Sequence, residues 1–212
     1  MFQKFFLLLL FLFSSCLDNR NSKLIEKSKY YYPNEEKFQE FIQEISNKHE
    51  IDWMFAKSII IKESHYADHL VSLSGAVGLM QLMPRNGSYV SDSFKNYMIA
   101  RKQKRDKKGQ RIYLQRTAEE WGRIYQAELQ NIYAMNKSNP EVLYKLDRRF
   151  DPEWNLKEGI RQLAAEYHFF IKRKHSEYES MILASAAYNA GRFAVMKLES
   201  NPKYDSIPIN RE

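Results

Sequence analysis

From Glu35 onward the apolar positions of this chain recur with a helical period and almost nowhere alternate. Phe38, Phe41, Ile42 and Ile45 fall at i, i+3, i+4 and i+7, one face of an amphipathic helix. The next apolar stretch, from Trp53 to Ile61, is greasy on nearly every side. It opens after Asp52, a good N-cap, and closes on Lys62-Glu63-Ser64. Further on, Asp151-Pro152-Glu153 sets an N-cap, a proline at the first helical position and an acid in the first turn. Leu156, Ile160, Leu163, Ala164, Tyr167 and Phe170 then repeat on one face. A last apolar helix is predicted from about Ser180 to Asn189, ending near Gly191. A hairpin around Lys107-Lys108-Gly109-Gln110 is the one hint of strand. The pattern therefore predicts a mainly α fold, a single domain of packed helices.

Composition agrees: 44% hydrophobic and 28% charged residues, with 7 Gly and 6 Pro, exclude a disordered chain and a Gly/Pro-punctuated all-β fold. The 212 residues suffice for one sizeable core. Charge changes the picture only between about 93 and 149. Nine Lys or Arg stand against the single acid Asp106 from Lys95 to Arg116, a local balance of +8 against +7 for the whole chain. Ala118 to Met135 follows with Trp121, Ile124, Tyr125, Leu129 and Ile132 at helical intervals. This reads as a basic loop plus a helix inserted into the domain. The loop is either a solvated surface or a site of salt-sensitive attraction to anionic polymers or lipid headgroups.

The N-terminus stands apart. Lys4 precedes an unbroken apolar run from Phe5 to Phe13, then Ser14-Ser15-Cys16. The run is short of the roughly 20 residues that span a bilayer, and its order fits a secretory signal peptide. With the only cysteine of the chain at the cleavage position, the segment resembles the lipobox of bacterial lipoproteins, although Phe13 stands where Leu is usual. The expected organisation is a signal segment 1–15, a polar tether 16–36 beginning at a lipidated Cys16, and a domain 37–212. That implies a membrane-anchored protein on the periplasmic side of a bacterial envelope, with no nucleic-acid partner. A single cysteine also excludes an intrachain disulfide and a cysteine-based metal site.

Glu63 is the candidate for chemistry. A carboxylate at the end of so apolar a helix is costly to keep ionised, so its pKa should rise, and an acid that keeps its proton near neutral pH can serve as a general acid. Gly75 and Gly78 downstream permit close backbone approach. Gln81 and Asn189 offer donors and acceptors, and Tyr188 a ring with a hydroxyl, all suited to sugars. Each has a plainer reading as well: Met80 and Tyr188 as core, Asn189 as a helix cap, the glycines as turn residues. His65 and His69 are four apart, but no third ligand is evident and Asp68 is wrongly spaced, so no metal is expected.

Four blocks, Glu63-Ser64, Gly75-Ala76-Val77-Gly78-Leu79-Met80-Gln81-Leu82-Met83-Pro84, Asp151-Pro152-Glu153-Trp154-Asn155 with Gly159, and Ala187-Tyr188-Asn189-Ala190-Gly191, together resemble the catalytic domain of soluble-type lytic transglycosylases. The resemblance covers about Phe38 to Phe193 apart from the insertion. It implies a lysozyme-like fold, peptidoglycan glycan strands as substrate, and no metal or organic cofactor. It places Glu63 on the catalytic glutamate, and Ser72, Met80 and Gln81 on positions that contact N-acetyl sugars. Tyr188 and Asn189 fall beside the scissile bond, and Ser64 supports the glutamate. The implied reaction cleaves the β-1,4 bond between N-acetylmuramic acid and N-acetylglucosamine and leaves 1,6-anhydromuramyl ends. A goose-type lysozyme-like hydrolase, which would want a second carboxylate such as Asp68 or Asp92, is the first alternative. A wall-binding lipoprotein without turnover is the second. It draws on the segment from Asp205 to Glu212, where relatives of this type run on into a helix with a further active-site tyrosine.

Overall fold

The computed structural model describes residues 32, 34–84, 89–102 and 116–200. The expected signal segment, Cys16, most of the tether, the hairpin near Lys107 and the segment from Asp205 all lie outside the described residues. Apart from Tyr32, the described residues belong to one compact unit, Pro33–Glu212. Among them are eight α-helices: α1 (Glu35–Lys48), α2 (Trp53–Ser64), α3 (Asp92–Lys102), α4 (Ala118–Asn136), α5 (Pro140–Leu146), α6 (Pro152–Lys172), α7 (Glu177–Ala190) and α8 (Arg192–Glu199). A 3-10 turn, Arg148–Phe150, joins α5 to α6.

The helices begin where local chemistry places them. Asp52 caps α2 by accepting from the Met54 amide at 2.7 Å. Asp151 caps α6 by accepting from Glu153 and Trp154. Thr117 with Glu120, and Ser176 with Glu179, form reciprocal capping boxes for α4 and α7. In each box, side chains satisfy two amides that the helix itself leaves unpaired.

The packing follows the apolar periodicity. The whole predicted face of α6, from Leu156 to Phe170, is buried, as are Phe38, Ile42 and Ile45 of α1. α6 packs on α7 and α1, and α1 on α2. Within α2, Phe55, Ala56, Ile59 and Ile60 are buried, and full burial of side chains the size of Phe or Ile contributes roughly 1.5–3 kcal/mol each. The last turn of α2 carries Glu63 toward the loop that follows.

Two features depart from the sequence reading. Residues 93–102, expected to begin a basic loop, are helical. α3 lies against α4, where Phe94 meets Tyr125 at 5.0 Å between ring centres. α3 buries Tyr97 alone, so its apolar periodicity is too thin to announce a helix, and contact with α4 decides it. Ile124, one of the apolar positions at helical intervals in α4, is exposed, while Tyr125 and Leu129 are completely buried.

Candidate functional site

The candidate residues fall on three pieces: the last turn of α2, the loop 65–84, and the last turn of α7. The chain leaves α2 through His65 and Tyr66, both with positive φ, 52° and 62°. The loop then folds on itself through single antiparallel bridges, Val71 with Val77 and Val77 with Leu82. Two glycines make it possible. Gly75 and Gly78 have φ of +75° and +82°, a region side chains disfavour. A Cβ at Gly75 would sit 2.0 Å from the Tyr125 ring, and one at Gly78 would sit 2.3 Å from the Asn155 amide.

The loop is held from beneath by buried polar side chains. Asn155, in the first turn of α6, accepts from the Met80 amide at 2.8 Å and donates to the carbonyls of Val77 (2.8 Å) and Arg149 (2.9 Å). Arg149 and Asp147 are both 0% exposed. Their side chains pair through Nη2 and Oδ2 at 2.7 Å, and Arg149 Nε also donates to Asp147. Arg149 Nη1 reaches the carbonyls of Gly75 and Leu82, spanning the loop from one side to the other. Nη2 also donates to the Tyr125 hydroxyl, which itself donates to the Tyr89 carbonyl. Burial pushes the Tyr125 hydroxyl up to about 12, so it stays neutral and able to donate. Charge-assisted, multiply bonded guanidinium groups fix backbone geometry better than single neutral bonds do.

Glu63 is half-buried. Burial raises its pKa above the ordinary carboxylate value, opposed by the neighbouring Lys62 charge and by a hydrogen bond with the Asn189 side chain. Its Oε1 is buried without a hydrogen-bond partner. The C-terminal carbonyls of α2 add to the pressure against the anion, since that end of a helix carries partial negative charge. Among the described residues, the charge acting on Glu63 is Lys62, with no second carboxylate beside it. Asp68 is engaged with His69 at 3.0 Å, and Asp92 pairs with Lys95 at 2.9 Å in the first turn of α3.

α7 closes the arrangement. Asn189 touches Glu63 and donates to the Ser185 carbonyl at 3.0 Å. Its neighbour Tyr188 donates from its hydroxyl to the Met80 carbonyl at 2.7 Å. One helical turn thus ties the glutamate to the glycine loop, and through Met80 and Asn155 to α6.

The structure gives four of the expected site residues bonds within the protein itself. Met80 is 0% exposed: its side chain fills the space over Gly159, where a Cβ would come within 2.4 Å of it, and both its amide and carbonyl are bonded. Ser64 is 2% exposed and turns its hydroxyl back to the Ile60 carbonyl at 3.2 Å. Neither side chain can touch a ligand from there, and both serve the framework. The Ser72 hydroxyl accepts from the Ala76 amide at 3.0 Å and closes the turn around Gly75. Gln81, at φ 46°, commits its amide nitrogen to the carbonyls of Leu70 and Gly78, so the donor expected for a sugar is used by the loop. Glu63, Tyr188 and Asn189 are brought together; Ser72 and Gln81 shape the loop beside them.

Arg149 and Asp147 were not singled out from sequence, and Tyr125 was named only as an apolar position of its helix. Asn155 carried a readable signal, a polar residue next to Leu156 on the buried face of α6 and one turn before Gly159. Asp147-Arg148-Arg149 gave none, because adjacent opposite charges ordinarily read as surface.

Comparison with curated proteins and with solved structures gives no match. A family model, the transglycosylase SLT domain, matches residues 40–108 and 114–208, well over half of the chain. The unmatched residues between the two stretches fall in the basic segment, and the match runs on through α4 and Arg149. With the helical architecture, the desolvated glutamate and the glycine loop in place, the chain belongs to the transglycosylase SLT domain family, a lysozyme-like, mainly α group of transglycosylase-type enzymes that act on peptidoglycan.

Proposed function

We propose that this protein cleaves the β-1,4 bond between N-acetylmuramic acid and N-acetylglucosamine and leaves 1,6-anhydromuramyl ends, with Glu63 as both acid and base. The observation that carries the reading is the state of that carboxylate: desolvated, bonded by Asn189, and with no second carboxylate acting on it among the described residues.

Burial keeps the Glu63 proton in place at pH values where an exposed carboxyl has lost it. Protonated Glu63 gives that proton to the bridging oxygen as the C1–O bond breaks. The departing sugar leaves with its hydroxyl, and positive charge develops at C1 of the muramyl ring. The substrate's own acetamido oxygen is the internal group able to hold that charge, which removes the need for an enzyme nucleophile. Glu63, now an anion, takes the proton from the muramyl C6 hydroxyl. O6 bonds to C1, Glu63 is protonated again, and no water is consumed. A hydrolase of the usual kind divides these duties between two carboxylates. Asn189 supports the anionic form of Glu63 between the two steps. Tyr188, tied to Met80, keeps α7 and the loop in register around the bond.

In the same reading Cys16 is lipidated after removal of residues 1–15, and the domain works from the periplasmic side of a membrane.

The test is digestion of isolated sacculi by the full chain and by Glu63→Gln, followed by mass spectrometry of the released fragments. Wild type should release fragments one water lighter than reducing ends, and Glu63→Gln should lower release by about 10²–10⁴-fold, the range of general acid–base catalysis. Reducing ends alone would replace the reading with hydrolysis. Binding without release by either protein would make the chain a wall-binding module.

A further inference from the structure

α4, the helix of the inserted segment, lies along the part of the glycine loop that follows α2. Gln126 donates to the Val71 carbonyl at 2.8 Å, and a Cβ on Gly122 would come within 2.7 Å of the Leu73 carbonyl. Further along α4 the Tyr133 ring meets the His69 ring nearly parallel, with 13° between planes and 5.0 Å between centres. Tyr133 in turn lies 5.6 Å from the ring of Phe150, which is buried. This series of ring contacts starts in the core at Phe150 and ends at the surface in His69, whose side chain is 54% exposed. Asp68 holds the imidazole at Nδ1, 3.0 Å away. An ionised carboxylate only accepts, so Nδ1 carries the hydrogen and Nε2 is left for an outside partner. An exposed side chain ordinarily keeps its rotamer freedom. Here a ring on one face and a carboxylate at one edge fix the imidazole before any ligand arrives, which lowers the ordering cost of binding.

The ring series is tied to the reacting turn by a short run of bonds. Leu70, next to His69, accepts from the Gln81 side chain at 3.1 Å. Gln81 follows Met80, whose carbonyl accepts from Tyr188, and Asn189 beside Tyr188 touches Glu63. A polymer that presents one linkage to Glu63 covers further surface on either side of it. We propose that His69, backed by Tyr133 and held by Asp68, is a platform for a pyranose ring of the glycan strand, away from the linkage that is cut. The inference rests on the reading of the site as one that takes glycan strands. The C–H face of the sugar lies on the imidazole, since the face of an aromatic ring carries partial negative charge. Its hydroxyl or acetamido groups bond to Nε2 and to the second Asp68 oxygen, and a bond to a carboxylate is stronger than one between neutral groups. His69 takes no part in bond cleavage. Because Tyr133 belongs to α4, the inserted helix then serves substrate binding.

The experiment uses the full chain carrying Glu63→Gln, so that the ligand is not consumed, and soluble glycan strands of one length, with and without their stem peptides. The imidazole C–H resonance of His69, assigned by its loss in His69→Ala, is followed by NMR as strands are added, and affinity is measured by calorimetry. Peptide-free strands should shift the resonance. His69→Ala should weaken their binding by about 3–10-fold, the range of a single ring contact, and His69→Phe, which restores a ring, should recover most of that loss. A resonance unmoved by peptide-free strands would overturn the proposal. So would unchanged affinity in His69→Ala, or equal weakening by the alanine and phenylalanine variants, which would mean that the ring is not the contact. A shift produced by peptide-bearing strands alone would also overturn it and make the cluster a peptide contact. A wild-type chain that yields no anhydro ends from sacculi would overturn the reading of Glu63 instead, and the resonance would still decide whether a sugar reaches His69.

Discussion

Arg149 with Asp147, and the last turn of α2 with Lys62 and Glu63, both withdraw charged ends from water, but they are finished differently. Arg149 spends its donors on Asp147, two loop carbonyls and the Tyr125 hydroxyl. Lys62 Nζ has no acceptor, and Glu63 Oε1 no donor. The first pair is saturated and can only hold; it fixes the backbone of the glycine loop from both ends. The second is left with bonding capacity, and bonding capacity in a desolvated place is what a substrate can use. The difference teaches that burial of charge alone does not identify an active site. The count of satisfied bonds around that charge separates a clamp from a reactive group.

The comparison can be broken first at the clamp. Arg149→Met leaves Asp147 fully buried and unpaired, and should cost about 3–5 kcal/mol in urea unfolding. Changing Asp147 to Leu in the same chain should recover much of that loss. A single substitution costing under ~1 kcal/mol would remove the clamp from the account.

Glu63 should respond to pH instead. The folded-state pKa of Glu63 is raised, chiefly by burial. Its contribution to stability is therefore complete below the unfolded carboxyl pKa and is lost as pH rises through the folded value. Activity should fall along the same limb, as the general acid loses its proton. Unfolding measured across that window should show the loss in wild type and a flatter curve in Glu63→Gln. Equal slopes would mean that Glu63 is solvated.

The smallest effect is expected where clamp and reactive turn meet. Tyr188→Phe removes the bond to the Met80 carbonyl and should cost about 0.5–1.5 kcal/mol in stability. A larger loss in sacculus digestion than in stability would place the hydroxyl in the chemistry. Equal proportional losses would leave it a tie between α7 and the loop.

Much of the frame was legible beforehand, because helices α1, α2, α6 and α7 bury one continuous face or carry a strong cap. Asp52 and Asp151 cap where their neighbours predict. α5 and α8 were not singled out: each is eight residues or shorter and buries one side chain, Leu143 and Val195. Within the site, Glu63 was legible from the apolar run before it. The clamp was not, since Arg149 and its loop acceptors Gly75 and Leu82 lie 74 and 67 positions apart.

The sequence by itself determined the helical period, the caps, the two glycines with left-handed backbone, and a glutamate at the end of an apolar helix, because each follows from residues within a turn or two of one another. Only the tertiary structure decided that Met80 fills the space over Gly159, that Gln81 spends its donor on its own loop, and that Glu63 Oε1 is buried without a partner. Those outcomes depend on which distant surfaces close over a side chain, and desolvation is a property of the assembled packing that no local pattern contains.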